Sequence, residues 1–116
     1  MARIEVSQMA FAKVYPLLVN KAERKGHTRA EVDQVTAWLT GYTPEDLVRL
    51  EQSDTSYAEF FRNAPAMNPE RTLITGKICG VRIEEIGDPL MRDIRCLDKL
   101  VDELARGKTI DRILRR

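Results

Sequence analysis

Histidine is nearly absent from this sequence, cysteine and tryptophan are scarce, and no long apolar run occurs. Each shortage removes a class of function. The lone histidine, His27, would have to carry any histidine-based acid/base step or metal centre unaided. Its neighbours Lys25, Gly26, Thr28 and Arg29 supply no acid or thiol at ligand spacing, so a solvated loop histidine is expected. The two cysteines, Cys79 and Cys96, are too few and too irregularly placed for a disulfide scaffold or a zinc site. Both are expected to be reduced core thiols.

No stretch approaches the roughly 18 apolar residues of a membrane span. Met1 to Phe11 has neither the apolar block nor the small-residue cleavage site of a signal peptide. A soluble, cytoplasmic protein with no membrane partner is the expectation. Also missing are a nucleophile-elbow pattern, a phosphate-binding loop and a dinucleotide fingerprint. Glu84 and Glu85 are adjacent carboxylates, but sequence neighbours point apart on a strand and lie about 100° apart on a helix. An enzyme is therefore the less favoured reading, and no cofactor or metal is expected.

The chain does have the means to fold. Its 116 residues suit a single domain, and 43% apolar against 32% charged residues permits a core without metal or disulfide help. The net charge of +1 argues against wholesale attraction to nucleic acid, yet the charge is unevenly spread. Met1 to Ala30 holds six Lys/Arg against two acids, Glu31 to Glu70 two against eight, and Arg71 to Arg116 eleven against eight. Basic ends flank an acidic middle.

Helical periodicity dominates. Phe11, Val14, Tyr15, Leu18 and Ala22 recur at the spacing of one buried helix face, ended by Gly26. Pro16 predicts a kink, or a helix that begins near Tyr15. Thr28 and Glu31 form a capping box for a second helix carrying Val32, Val35, Trp38 and Leu39, with Gly41 as its left-handed end. Thr43 and Pro44 open a third helix to about Gln52. The polar break Ser53 to Thr55 precedes a short aromatic helix with Tyr57, Phe60 and Phe61. Asp88 and Pro89 open the longest helix, whose Leu90, Ile94, Leu97, Leu100, Val101 and Leu104 make it the expected central strut, closed by Gly107. Thr109, Ile110, Ile113 and Leu114 predict a short basic helix at the end.

Between the last two breaks the pattern changes. Leu73 to Thr75 and Ile78 to Ile83 read as two extended runs around Gly76 and Lys77, a β-hairpin. The competing reading is a short helix opened by Asn68 and Pro69, leaving only Ile78 to Ile83 extended. The fold class is mainly α, with a short hairpin or extended segment near residues 72–84.

Several of these segments carry a resemblance over nearly the whole chain: Val14-Tyr15-Pro16, Lys21 to Gly26, Trp38-Leu39-Thr40-Gly41-Tyr42, Met67-Asn68-Pro69, Ile78 to Arg82, Glu84-Glu85-Ile86, Asp88 to Met91 and Leu97 to Leu100. The sequence is similar to a bacterial family catalogued as domain of unknown function 2200, the SP-1917-like proteins. The resemblance implies a small orthogonal helical bundle in bacterial cytoplasm and brings no activity, cofactor or catalytic residue. Cys96 departs from it, standing where relatives tend to place an aromatic residue.

Two constellations compete for function. Arg82, Glu84, Glu85 and Asp88 concentrate charge on short irregular backbone and could form an anion or small-ligand site, or pair internally to cap the long helix. With Ile78 to Ile83 extended, Cys79, Val81 and Ile83 would share one face and Gly80 and Arg82 the other. Lys21, Arg24, Lys25 and Arg29 make a basic corner, and Arg112 and Arg115 lie in a basic tail with Arg106, Lys108 and Arg116. A non-catalytic interaction module using these basic residues is the leading expectation. Its partner would be an acidic protein, or a second copy offering its acidic middle. RNA binding requires the two basic ends to converge in space. The helix after Gly41 carries Glu45, Asp46 and Glu51 with Arg49 alone, which rejects it as a DNA reader.

Overall fold

The computed structural model describes residues 5–78 and 80–115. Within them the chain is a mainly α-helical bundle with one small antiparallel hairpin. Helix α1 (Phe11–Glu23) buries Phe11, Val14, Tyr15, Leu18, Val19 and Ala22. It begins at Phe11 rather than near Tyr15, because the backbone ahead of Pro16 is anchored from outside the helix. The Phe11 N–H donates to the Thr55 carbonyl at 2.8 Å, and the Tyr57 N–H donates to the Met9 carbonyl at 2.8 Å. Pro16 therefore sits inside the helix and denies the Ala12 carbonyl its usual donor. After Glu23 the Gly26 N–H donates to the Glu23 carbonyl and the His27 N–H to that of Ala22, closing the helix through a left-handed Gly26.

Helices α2 (Arg29–Thr40), α3 (Pro44–Glu51) and α4 (Tyr57–Arg62) each start in a full capping box: Thr28 with Glu31, Thr43 with Asp46, Ser56 with Glu59. The α4 cap is Ser56, one residue beyond the polar break read from sequence. Stacked rings run through the core from Tyr15 to Phe11 at 4.9 Å, Phe11 to Phe60 at 4.5 Å and Phe60 to Tyr42 at 4.9 Å. This series joins α1 to α4 and to the α2–α3 turn. Helix α5 (Pro89–Ala105), capped by Asp88, is the central strut: it packs on α1, α2, α4 and α6 (Ile110–Ile113), and Ile94, Cys96, Leu97, Leu100, Val101 and Leu104 are fully buried.

The segment before α5 combines the two readings and moves the turn. Asn68 caps a 3-10 helix, Pro69–Leu73, so Leu73 is not part of an extended run and stands 54% exposed. The hairpin pairs β1 (Lys77–Ile78) with β2 (Val81–Arg82), Lys77 opposite Arg82 and Ile78 opposite Val81. It reverses at Gly80, φ +77°, and not at Gly76 and Lys77. A chain that turns there cannot be one extended run from Ile78 to Ile83, so the expected sharing of faces does not hold. Ile78 and Ile83 are both buried, Val81 is 40% exposed, and Ile83 opens a second 3-10 turn, Ile83–Glu85. The expectation for Cys79 lies outside the described residues.

Candidate functional site

Arg82, Glu84, Glu85 and Asp88 are close along the chain but form no ion pair with one another; the Arg82 charge only adds to the lowering of the Glu84 carboxyl. Arg82 is exposed on β2, and among the described residues no carboxylate lies within ion-pair distance of it. Glu84 folds back to accept the Gly76 N–H at 2.9 Å, and that bond holds its carboxyl below the usual range. The Ile83 N–H donates to the Gly76 carbonyl at 3.0 Å, so both backbone groups of Gly76 are held by residues after the hairpin. Asp88 accepts the Met91 N–H as the α5 cap, and Glu85 is exposed. The charge here orders backbone.

The basic ends do converge. Asp102, near the end of α5, takes Lys21 of α1 on one oxygen at 3.2 Å and Arg106 on the other at 2.9 Å. Its neighbour Glu103, 3% exposed, takes both nitrogens of the Arg115 fork at 2.7 and 3.0 Å and Lys108 at 3.5 Å. Two buried carboxylates thus gather four cations from α1, the α5 end and the C-terminal segment. Arg24, Lys25 and Arg112 are exposed in the same flanking segments, with no ion pair to a described residue. Asp102 and Glu103 are the residues that sequence reasoning missed; two adjacent acids in a basic stretch give no signal of burial.

Arg29 leaves the basic corner. Its guanidinium ties the Asp33 carboxylate to Glu51 of α3 and lies 5.5 Å from the Tyr15 ring centre. The hydrogen bond to Glu51 is the main cause holding its pKa above the ordinary value. Tyr15 donates to Asp33 at 2.6 Å, and burial, reinforced by that bond, pushes its phenol well up. These groups tie α1, α2 and α3 together. His27 is half-buried rather than solvated, with Nδ1 3.3 Å from Glu31. Cys96 is fully buried, and desolvation raises its thiol to about 11, far from a reactive thiolate.

Among the described residues no group of three His, Cys, Asp or Glu side chains could hold a metal ion, and no helix is long and apolar enough to cross a membrane. The fold and its ion-paired basic end define a small helical-bundle protein with a hairpin strapped to the central helix. The chain belongs to the family described as "Uncharacterized protein conserved in bacteria (DUF2200)", which matches residues 5–115. It is similar to the solved structure titled "Crystal structure of uncharacterized protein SP1917", at 53% identity and a TM-score of 0.91, covering 98% of this chain and 95% of that one. No curated protein matches the sequence.

Proposed function

We propose that this chain is a non-catalytic interaction module whose basic end docks on an acidic partner protein. The observation that carries the reading is the gathering of Lys21, Arg106, Lys108 and Arg115 around Asp102 and Glu103. Four cations meet two carboxylates, and with exposed Arg24, Lys25 and Arg112 set against exposed Glu23 and Asp111 the same segments keep a surplus of three positive charges. The paired cations are already fixed in place, so a partner meets a partly ordered surface and loses less side-chain entropy on binding.

A protein is favoured over RNA because the segments 21–29 and 106–115 contain no Phe, Tyr or Trp on which a base could stack, and the one ring there, His27, is half-buried against Glu31. A different protein is favoured over a second copy because the acidic middle is largely engaged. Asp33 and Glu51 hold Arg29, and Glu31, Asp46 and Glu59 cap helices. Glu45, Asp54 and Glu70 are exposed but stand on three separate segments.

The test is binding of fluorescent poly-glutamate and, separately, poly-uridylate, with light scattering of the purified protein at low and high salt. Poly-glutamate should bind in a salt-sensitive manner. The Arg24→Glu/Lys25→Glu/Arg112→Glu variant should bind it at least about tenfold more weakly, ~1.4 kcal/mol, with an unchanged melting temperature. Equal binding by the variant, or binding of poly-uridylate alone, would overturn the proposal; a salt-sensitive dimer would replace the acidic partner with a second copy.

A further inference from the structure

Two adjacent hollows flank the first turns of α5, forming a groove-like face that shares no lining residue with the basic end. One lobe, about 370 Å³, is lined by Arg71 and Thr72 of the 3-10 helix, by Ile86 and Gly87, and by Pro89 and Arg92 of α5. The second, about 310 Å³, is lined by Phe61 and Arg62 of α4 and by Pro89 and Leu90. Pro89 and Asp93 line both lobes, so the two lie side by side and a ligand crossing Pro89 would reach from one to the other. Each lobe is at the small end of the range for ligand sites.

Their chemistry differs. In the first lobe Arg71 is held rigidly: Nε donates to Asp93 at 3.0 Å and Nη1 to the Asn68 carbonyl at 2.9 Å. Its Nη2 donors have no acceptor among the described residues. Arg92 is half-buried in the same lobe, and no described carboxylate lies within ion-pair distance of it. An oxyanion between the two guanidiniums would fill the open Nη2 donors of Arg71 and give half-buried Arg92 a closer partner than the Glu84 charge it acts on. The second lobe is walled by the Phe61 ring, Leu90 and Pro89, with Arg62, Asp88 and the shared Asp93 as its charged residues.

We propose that this groove binds a small organic oxyanion, its carboxylate or phosphate held between Arg71 and Arg92 and its apolar body laid against Phe61, Leu90 and Pro89. Asp93 positions Arg71 and sets a limit on the charge: one anionic group balances the lobe, and a polyanion would meet the Asp93 and Asp88 carboxylates. The groove does not include Arg24, Lys25 or Arg112, so this proposal stands or falls apart from the interaction-module reading.

The test is a nitrogen-15 NMR titration of the whole chain with acetate, inorganic phosphate, benzoate and phenyl phosphate. Saturable shifts are expected at the Thr72 and Gly87 amides and at the Arg71 Nε–H, with an aryl compound binding at least about tenfold tighter than its parent anion. Whether benzoate or phenyl phosphate wins separates the carboxylate from the phosphate source. Arg92→Gln should abolish the shifts and leave the rest of the spectrum in place, since Arg92 holds no described partner; Arg92→Lys should restore them in part. Absence of saturable shifts with all four compounds would overturn the site. So would shifts that persist unchanged in Arg92→Gln. Equal affinity for phosphate and phenyl phosphate would overturn the apolar half.

Discussion

Replacing Gly41 by alanine separates two costs that left-handed glycines usually mix. Gly41, Gly26 and Gly107 all end helices at positive φ, +82°, +85° and +95°. A side chain in that conformation costs roughly 1 kcal/mol or a little more wherever it occurs. At Gly26 and Gly107 an added Cβ meets nothing within 4 Å, so that is the whole expected loss. At Gly41 it would stand 2.9 Å from the Ala66 backbone nitrogen and 3.0 Å from the Ala66 Cβ. That backbone is the connector which satisfies the end of α2. The Ala66 N–H donates to the Thr40 carbonyl at 3.0 Å, the Asn68 N–H to that of Leu39 at 2.9 Å, and the Asn68 side chain to that of Trp38 at 3.2 Å. Pushing the connector away weakens between one and three of these bonds at about 1 kcal/mol each. Gly41→Ala should therefore cost about 2–4 kcal/mol against about 1 kcal/mol for Gly26→Ala or Gly107→Ala. Urea unfolding of the three variants, followed by far-ultraviolet circular dichroism, measures the difference. Equal losses in all three would refute the close approach and the role assigned to the connector.

Two tyrosines predict opposite outcomes for one chemical change. Tyr15→Phe removes the donor to buried Asp33 and should cost about 2 kcal/mol, whereas Tyr57→Phe should be neutral or stabilising, because the buried Tyr57 hydroxyl has no hydrogen-bond partner among the described residues. Thermal melts of both variants would refute this if Tyr57→Phe proved the more damaging. Asp98 lies on α5 beside Arg95 and faces Lys21 of α1 and Tyr57 of α4, and burial raises its carboxyl above the usual range. A folded-state pKa above the unfolded one means that the folded protein keeps the proton longer. The associated stability is complete below the unfolded value, about 3.9, and declines as pH rises through the raised folded value. Asp98→Asn cannot ionise, so its stability relative to wild type should grow across that window; parallel pH profiles would refute the assignment.

Much of the fold was legible from residues one helical turn apart. The Thr28 and Thr43 caps, the Asp88-Pro89 start and the glycine ends at Gly26, Gly41 and Gly107 work through bonds spanning a few residues, and the inward stripes follow from helical spacing. The 69–85 segment was less so. Its local preferences are balanced, and the decision came from the Lys99 Nζ bond to the Lys77 carbonyl, the Arg71 pair with Asp93 and the burial of Ile74, Ile78 and Ile83.

The charged residues show the same division. Composition revealed basic ends around an acidic middle, but ion pairs depend on distance in space, and the residues that meet are far apart along the chain. Only packing α1 on α5 brings Lys21 to Asp102; only folding the C-terminal segment back brings Arg115 to Glu103; only the α1–α2–α3 junction turns Arg29 inward. The sequence set the helices and their caps, which need no distant partner, while tertiary packing chose which cations are paired at home and which, such as Arg24, Lys25, Arg112 and Arg92, form no ion pair with a described carboxylate.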